Sequence, residues 1–444
     1  MLNDYVLAVF SDTRRLGTLR YEPDHDTFSL DYDPEWVASP AGYALSPQLP
    51  LDGSASSPAI RRFLENLLPE GTALDVASRD ARVTRNNIFG LIRHLGHETA
   101  GALGFLPPDS TFSEQEEVRR ELPTAELAQR IADRADQPFS IWDGRVRMSI
   151  AGHQDKLLVE RREGRLFLVD GSLSSTHILK PEPFGGGVRC MVANEHYCMS
   201  LANRMSRRRL KADIAAEVEI LRVPSPVLSV RRFDRTVATD RIERLHIIDG
   251  CQALDLSVAA KYERNLGDAP EVQHVRDGAS FEKLGSIRSL LVEPALGMQR
   301  IVIWAITTLL FGNSDAHGKN ISFRVTRAGL SVTEFYDLVS VVPYDRFDHS
   351  LAMAYGDVFA LEQVRAFALA DFCERLGVPR PYFARELTRF CRLAIEEAPR
   401  QAKDPAYQGD EIAFVGRLAG DVAARSEALL KMAGDIPKFK ADNF

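Results

Sequence analysis

NSDAHGKN, residues Asn313 to Asn320, is the stretch on which the reading of this chain turns. It follows the most apolar run of the sequence, IVIWAITTLLFG (Ile301 to Gly312), and precedes a short β-rich run, ISFRV. Asp315 and Asn320 stand five apart with the cation Lys319 between them, and FYDLVS brings Asp337 about twenty residues on. Two carboxylates and an amide in this order suit transfer of a phosphoryl group. One carboxylate orients the attacking hydroxyl and takes its proton. The amide oxygen and the second carboxylate hold Mg²⁺ against the phosphates. A polar turn built on Asn and Asp is the plainer reading of Asp315 alone; Asp337 in the expected downstream place favours the chemistry. The run from Ile301 is shorter than the ~20 residues that span a bilayer, so it predicts a buried core helix.

The Asp-x4-Asn spacing is also that of the protein-kinase catalytic loop. Upstream, THILKP places Lys180 at the end of a predicted central strand. A strand lysine turned inward is costly unless it meets an anion, and nucleotide phosphates supply one; a snorkelling edge lysine is the alternative. MSIAGHQDK (Met148 to Lys156) interrupts two strands with a small turn whose N–H groups suit phosphate oxygens, or which is an ordinary hairpin. Ser149 within it lies close to Arg145 and Arg147, cations suited to a phosphate on that serine. Glu195 follows on a predicted helix, either as a partner for Lys180 or as a solvated surface acid. RRRLK (Arg207 to Lys211) reads as a solvated helix end or as a contact for DNA or an acidic partner.

The rest of the chain sets the frame. Its 444 residues exceed one ordinary core and predict two or three packed units. A net charge of -7 argues against a general nucleic-acid binder. The five cysteines form no CxxC pair, which points away from zinc or disulfides and towards a reducing cytoplasm. MLNDYVLAVFSD has no basic start and is no signal peptide, so no membrane association is expected. YVLAVFSD, RLGTLRYE and FSLDYD alternate as strands, and Ala59 to Gly71 and Asn86 to Gly96 turn helical. Pro107 to Glu121 reads as a linker before a helix near Leu127. Phe139 to Val188 is strand-rich. A helix is predicted from about Asn194 to Met205, then strands in VLSVRRFDR and RLHIIDG. Beyond Ser257 nearly everything is helical, apart from a pair of strands at ISFRV and SVTEFYD.

FLENLLPEG, SIAGHQDK, THILKP, NEHYCMSLA, VRRFDR, CQAL…KYE, NSDAHGKN and FYDLVS occur in order from Phe63 to Ser340. Together they resemble one family, the HipA-type serine/threonine kinases of bacterial toxin–antitoxin systems. The resemblance implies an α+β, protein-kinase-like bilobal fold with an additional N-terminal α/β subdomain and a mostly helical C-terminal lobe. The expected division is 1–108 for the subdomain, 109–230 for the sheet-rich lobe and 231–444 for the helical lobe.

By motif, the resemblance implies Asp315 as the catalytic aspartate and Asn320 and Asp337 as Mg²⁺ ligands. Lys180 would hold the ATP phosphates, and Ala151, Gly152, His153, Gln154, Asp155 and Lys156 the phosphate loop. The hinge at Arg231, Arg232 and Phe233 would meet adenine, largely by backbone, and His317, Lys319 and Tyr336 complete the nucleotide site. Ser149 falls on the family's autophosphorylated serine, an event that switches the kinase off. The expected partners are a HipB-like helix-turn-helix antitoxin, operator DNA mainly through that antitoxin, and a protein substrate of the aminoacyl-tRNA synthetase kind, whose inhibition arrests growth. Arg231 stands where the family often has Glu, and His153 where a small residue is commoner. Two other readings stay open: a weak or inactive kinase acting as a DNA-binding corepressor with its antitoxin, and a small-molecule kinase.

Overall fold

The computed structural model describes residues 5–147, 154–184, 187–237 and 241–440. Ser149, Ala151, Gly152 and His153 lie outside the described residues. The chain divides into two units. The first comprises Met1–Phe184, Leu221–Val258 and Phe323–Leu330; the second comprises Gly185–Ile220, Ala259–Ser322 and Ser331–Phe444.

The first unit begins with the three predicted strands, Val6–Ser11, Arg14–Glu22 and Thr27–Tyr32, joined by Leu103–Leu106 into an antiparallel sheet in the order third, second, first, fourth. Ala8, Phe10, Leu106 and Phe112 pack on it. A six-stranded sheet follows, in the order Val218–Val223, Ser225–Arg231, His177–Pro181, Leu157–Arg162, Arg165–Asp170 and Val118–Glu121. The Thr124–Ala132 helix covers one face, burying Leu127 and Ile131 among Leu157, Val159, Leu168 and Leu179. The stretch expected to be a linker therefore contains an edge strand. Its sequence, VRRE, hides the period-two signal because charged residues are what keep an exposed edge from pairing with other chains. Arg119 also donates to Glu160, otherwise a buried lone carboxylate on the next strand but one, at 2.7 Å.

His246 ties two parts of this unit together. Its Nε2 donates to the Leu45 carbonyl at 2.8 Å, its ring stacks on Tyr43, and its own carbonyl accepts from Val325 N. Nδ1 is buried without a hydrogen-bond partner, and burial holds the imidazole pKa down to about 4. The unfolded chain then binds the extra proton between that value and ~6.5, so stability is complete above ~6.5 and is lost as pH falls towards 4. The loss across that window is about 3 kcal/mol. Melting temperature plotted against pH is expected to slope more gently over this window in His246→Phe than in the wild type; equal slopes would contradict the assignment.

The second unit is helical. Met191–Leu210 is longer at both ends than predicted, and Arg380–Gln401 packs on both it and Asp410–Ala433. Pro294–Phe311 is buried at every position from Ile301 to Phe311, as the apolar run demanded. It is the one helix among the described residues long and apolar enough to cross a membrane, and 72% of it lies inside the protein. Phe372 anchors an aromatic core with Phe281, Tyr355 and Phe383. Two departures from the expected helical content occur. Ser350–Tyr355 and Val358–Ala360 form a hairpin; its first strand is buried along almost its whole length, so it carries no alternation to read. Ser322–Thr326 pairs with Gly329–Val332, earlier than the SVTEFYD expected.

The basic run closes the Met191–Leu210 helix and is neutralised internally. Arg207 pairs with Asp213, Arg208 with Glu396 and Glu397, and Arg209 with Glu386. Cations at a helix C-terminus also suit the helix dipole.

Candidate active site

In the second unit the site is set by how the Pro294–Phe311 helix ends. Gly312 has a φ of 65°, the left-handed turn that stops a helix. The next eight residues form a loop in which every position is buried except Asp315. Backbone bonds hold that loop: Asn313 N donates to Thr308 O, Ala352 N to Ser314 O and Gly318 N to Lys261 O, at 2.8–2.9 Å. The His317 N–H lies 2.8 Å from the Asp315 carbonyl and 3.1 Å from Asn320 Oδ1. His317 Nδ1 in turn accepts the Lys319 N–H. Asp315 is thus an exposed carboxylate on a fixed, buried frame.

Asp337 is brought to the same loop. Its φ is 51°, a conformation that costs a non-glycine residue ~1–2 kcal/mol. Asn313 Nδ2 donates to its carbonyl at 3.3 Å. Asn194, fully buried on the Met191–Leu210 helix, grips Ser340 three residues later, with Nδ2 to the carbonyl at 2.8 Å and Oδ1 from the N–H at 2.9 Å. Asn320 Nδ2 lies 3.4 Å from Asp337 Oδ2. An octahedral Mg²⁺ keeps neighbouring donors about 3 Å apart and takes few protein ligands, leaving the rest to water and phosphate. The pair fits such an ion, with the Asn320 amide turned to present its oxygen. Tyr336 donates to the Lys319 carbonyl at 2.6 Å and meets Ser322 Oγ at 2.7 Å, fastening the segment that carries Asp337 to the loop. Lys319 is buried.

In the first unit, Lys180 is buried in the His177–Pro181 strand, the third of six, opposite Leu228 in register. Lys156 is also buried, just before the Leu157–Arg162 strand. Each of these lysines is withdrawn from water, and a buried ammonium is stable only where polar or anionic groups meet it. Gln154 Nε2 reaches the Pro181 carbonyl at 3.3 Å, and Asp155 lies 3.8 Å from Arg134. Burial pushes the Asp155 carboxyl above its ordinary value against the pull of Arg134 and Lys156.

In the segment expected to be the hinge, Arg231 ends its strand exposed, opposite His177, and Phe233 is half-buried. Arg232 is turned inward. It forks onto Asp234 at 2.9 and 2.7 Å and also meets Ser175 Oγ and Glu98. Asp234 additionally accepts from Arg235 at 2.8 Å and from Gly101 N at 2.7 Å. Burial alone would raise the Glu98 carboxyl, but Arg232, Arg235 and Arg244 hold it down to about 2. This ionic cluster ties residues 232–235 to residues 98–101, so any role of Arg232 towards a nucleotide falls to its backbone.

A model of the HipA N-terminal domain matches residues 7–106, and a model of the HipA-like C-terminal domain matches residues 148–399. The chain belongs to the HipA family. The serine/threonine-protein kinase toxin HipA of Shewanella oneidensis is 39% identical over 426 residues, covering 95% of each chain. A putative kinase of Sinorhizobium fredii, Y4mE, is 28% identical over 432 residues, covering 95% of this chain and 98% of its own. The solved Shewanella oneidensis HipA, in a complex with HipB and its operator DNA, superposes with a TM-score of 0.88 at 37% identity, over 98% of this chain and all of that one. This HipA chain is accordingly a serine/threonine protein kinase with the HipA fold.

Three residues around the loop that carries Asp315 escaped the sequence reading. Asn313 and Asn194 position the Asp337 segment, and Tyr262 donates from its hydroxyl to Asp315 Oδ1 at 2.7 Å. The KYE motif pointed at Tyr262 without a role. Glu195 is buried, not a solvated surface acid.

Proposed function

We propose that this HipA chain is the toxin of a two-component system, arresting growth by phosphorylating a serine or threonine of a translation protein, an aminoacyl-tRNA synthetase in the first instance. The observation that carries this reading is the exposed Asp315 carboxylate on a buried loop whose Asn320 lies against Asp337. An acceptor hydroxyl donates its hydrogen to Asp315. As its oxygen bonds to the γ-phosphorus of ATP and the bond to the ADP oxygen breaks, the proton passes to the carboxylate. Asn320 and Asp337 would hold Mg²⁺, which when bound would neutralise charge at the phosphates. Lys180 and residues 151–156 hold the phosphate chain, Arg231 to Phe233 meet adenine by backbone, and His317, Lys319 and Tyr336 shape the nucleotide site.

The same reading makes Ser149 the site of an inhibitory autophosphorylation. It gives the chain a small helix-turn-helix antitoxin, through which it meets operator DNA, and a place in the cytoplasm. The corepressor alternative drew on Arg207 to Lys211 and on Arg231; the three arginines of the run are already paired with carboxylates, which favours the kinase.

Phosphopeptide mapping after incubation of the purified chain with cell lysate and Mg²⁺–ATP tests the proposal. New phosphoserine or phosphothreonine is expected on a tRNA synthetase and at Ser149. Asp337→Ala is expected to lower both rates at least ~10²-fold. No new phosphopeptide in either protein would overturn it.

A further inference from the structure

We infer that Tyr262 is a positioning residue for phosphoryl transfer, an inference that rests on Asp315 being the base. The loop under Asp315 is fixed, but its carboxylate is exposed and would otherwise turn among rotamers, at a cost in ordering when the acceptor arrives. The Tyr262 hydroxyl removes that freedom by donating to Oδ1 at 2.7 Å, leaving Oδ2 to receive the acceptor's hydrogen.

The phenol is itself mounted on the catalytic frame. Its ring stands edge-on to His317 at 5.1 Å, and Lys261 Nζ lies 5.4 Å from the ring centre. The residues on either side are tied down. The Lys261 carbonyl accepts from Gly318 N, and Glu263 N donates to the Ala352 carbonyl. The buried Glu263 carboxylate accepts from Ala354 N and Arg276 Nε, both at 2.7 Å. A hydroxyl so fixed orients one oxygen of the base and keeps its own proton throughout.

Tyr262→Phe keeps the ring and removes only the donor. The measurement is single-turnover incorporation of label from γ-labelled ATP into the full-length chain, over a range of ATP concentrations, with melting temperature alongside. The saturated rate is expected to fall about tenfold, with half-saturating ATP moving less than about twofold and melting unchanged. In an Asp315→Ala background the same change is expected to cost nothing further. An unchanged rate would overturn the inference. So would a faster one, because Tyr262 would then be a plug that the acceptor must displace. Label incorporation by Asp315→Ala at the wild-type rate would instead defeat the reading of the base itself.

Discussion

Asp315→Ala is expected to lower the rate of phosphoryl transfer about 10²–10⁴-fold, the range that loss of a positioned general base produces, while the protein melts where the wild type does. The two halves of that expectation come from different features. The loss of rate follows from the role proposed for the carboxylate, that of the base which takes the acceptor's proton. The unchanged melting follows from its exposure: among residues 313–320 it alone is exposed, and its side chain accepts one hydrogen bond, from Tyr262. The loop's conformation is carried by backbone bonds and by His317, none of which needs the Asp315 carboxylate. Rates from single-turnover labelling and melting by calorimetry check both halves. A large drop in melting temperature would make Asp315 a structural residue. A rate within threefold of the wild type, taken as roughly the scatter of such effects, would remove it from the chemistry.

The largest effect on stability is expected from Arg232→Ala. The substitution leaves Arg235 and Arg244 as the cations beside Asp234 and Glu98 and strips Asp234 of both its hydrogen bonds from Arg232. Removing one member of a buried ionic group costs about 3–5 kcal/mol, because the remaining charge keeps its desolvation penalty. For a unit of this size that corresponds to a fall of roughly 6–20 °C in its melting temperature. Asp234→Ala is expected to do similar damage, and the double variant less than the sum, since both single changes break the same pair of hydrogen bonds. The carboxylates also set the acid limb. Glu98 is held near pKa 2 against ~4.3 in the unfolded chain. Its stabilisation is complete above ~4.3 and is lost as pH falls through the folded value. Additive losses for the pair would mean that the two side chains do not act as one group.

What the sequence made legible were features that are local or strongly patterned. The Ile301–Phe311 helix declared itself by unbroken apolarity, the first three strands by alternation, and Asp315, Asn320 and Asp337 by spacing within twenty-odd residues. The structure does bring Asn320 to Asp337 and hangs both on the loop that carries Asp315. What stayed hidden depends on partners far away along the chain. Asn194 meets Ser340 across 146 positions, Tyr262 meets Asp315 across 53, and Arg232 meets Glu98 across 134. No periodicity records such meetings. The Arg207–Lys211 run could be read only as a solvated helix end or a contact for DNA or an acidic partner, because the carboxylates of Arg208 and Arg209, namely Glu386, Glu396 and Glu397, lie nearly two hundred residues downstream. The Val118–Glu121 strand was hidden for a different reason: an edge is protected by the charges that erase its pattern.

One measurement addresses the proposed metal-dependent transfer from ATP to a hydroxyl directly. The purified chain is incubated with γ-labelled ATP, with Mg²⁺ or with the divalent ion chelated, and acid-stable label on serine and threonine is counted. Label that accumulates with Mg²⁺ and disappears on chelation is the expected result. No label under either condition, or the same label under both, would contradict it.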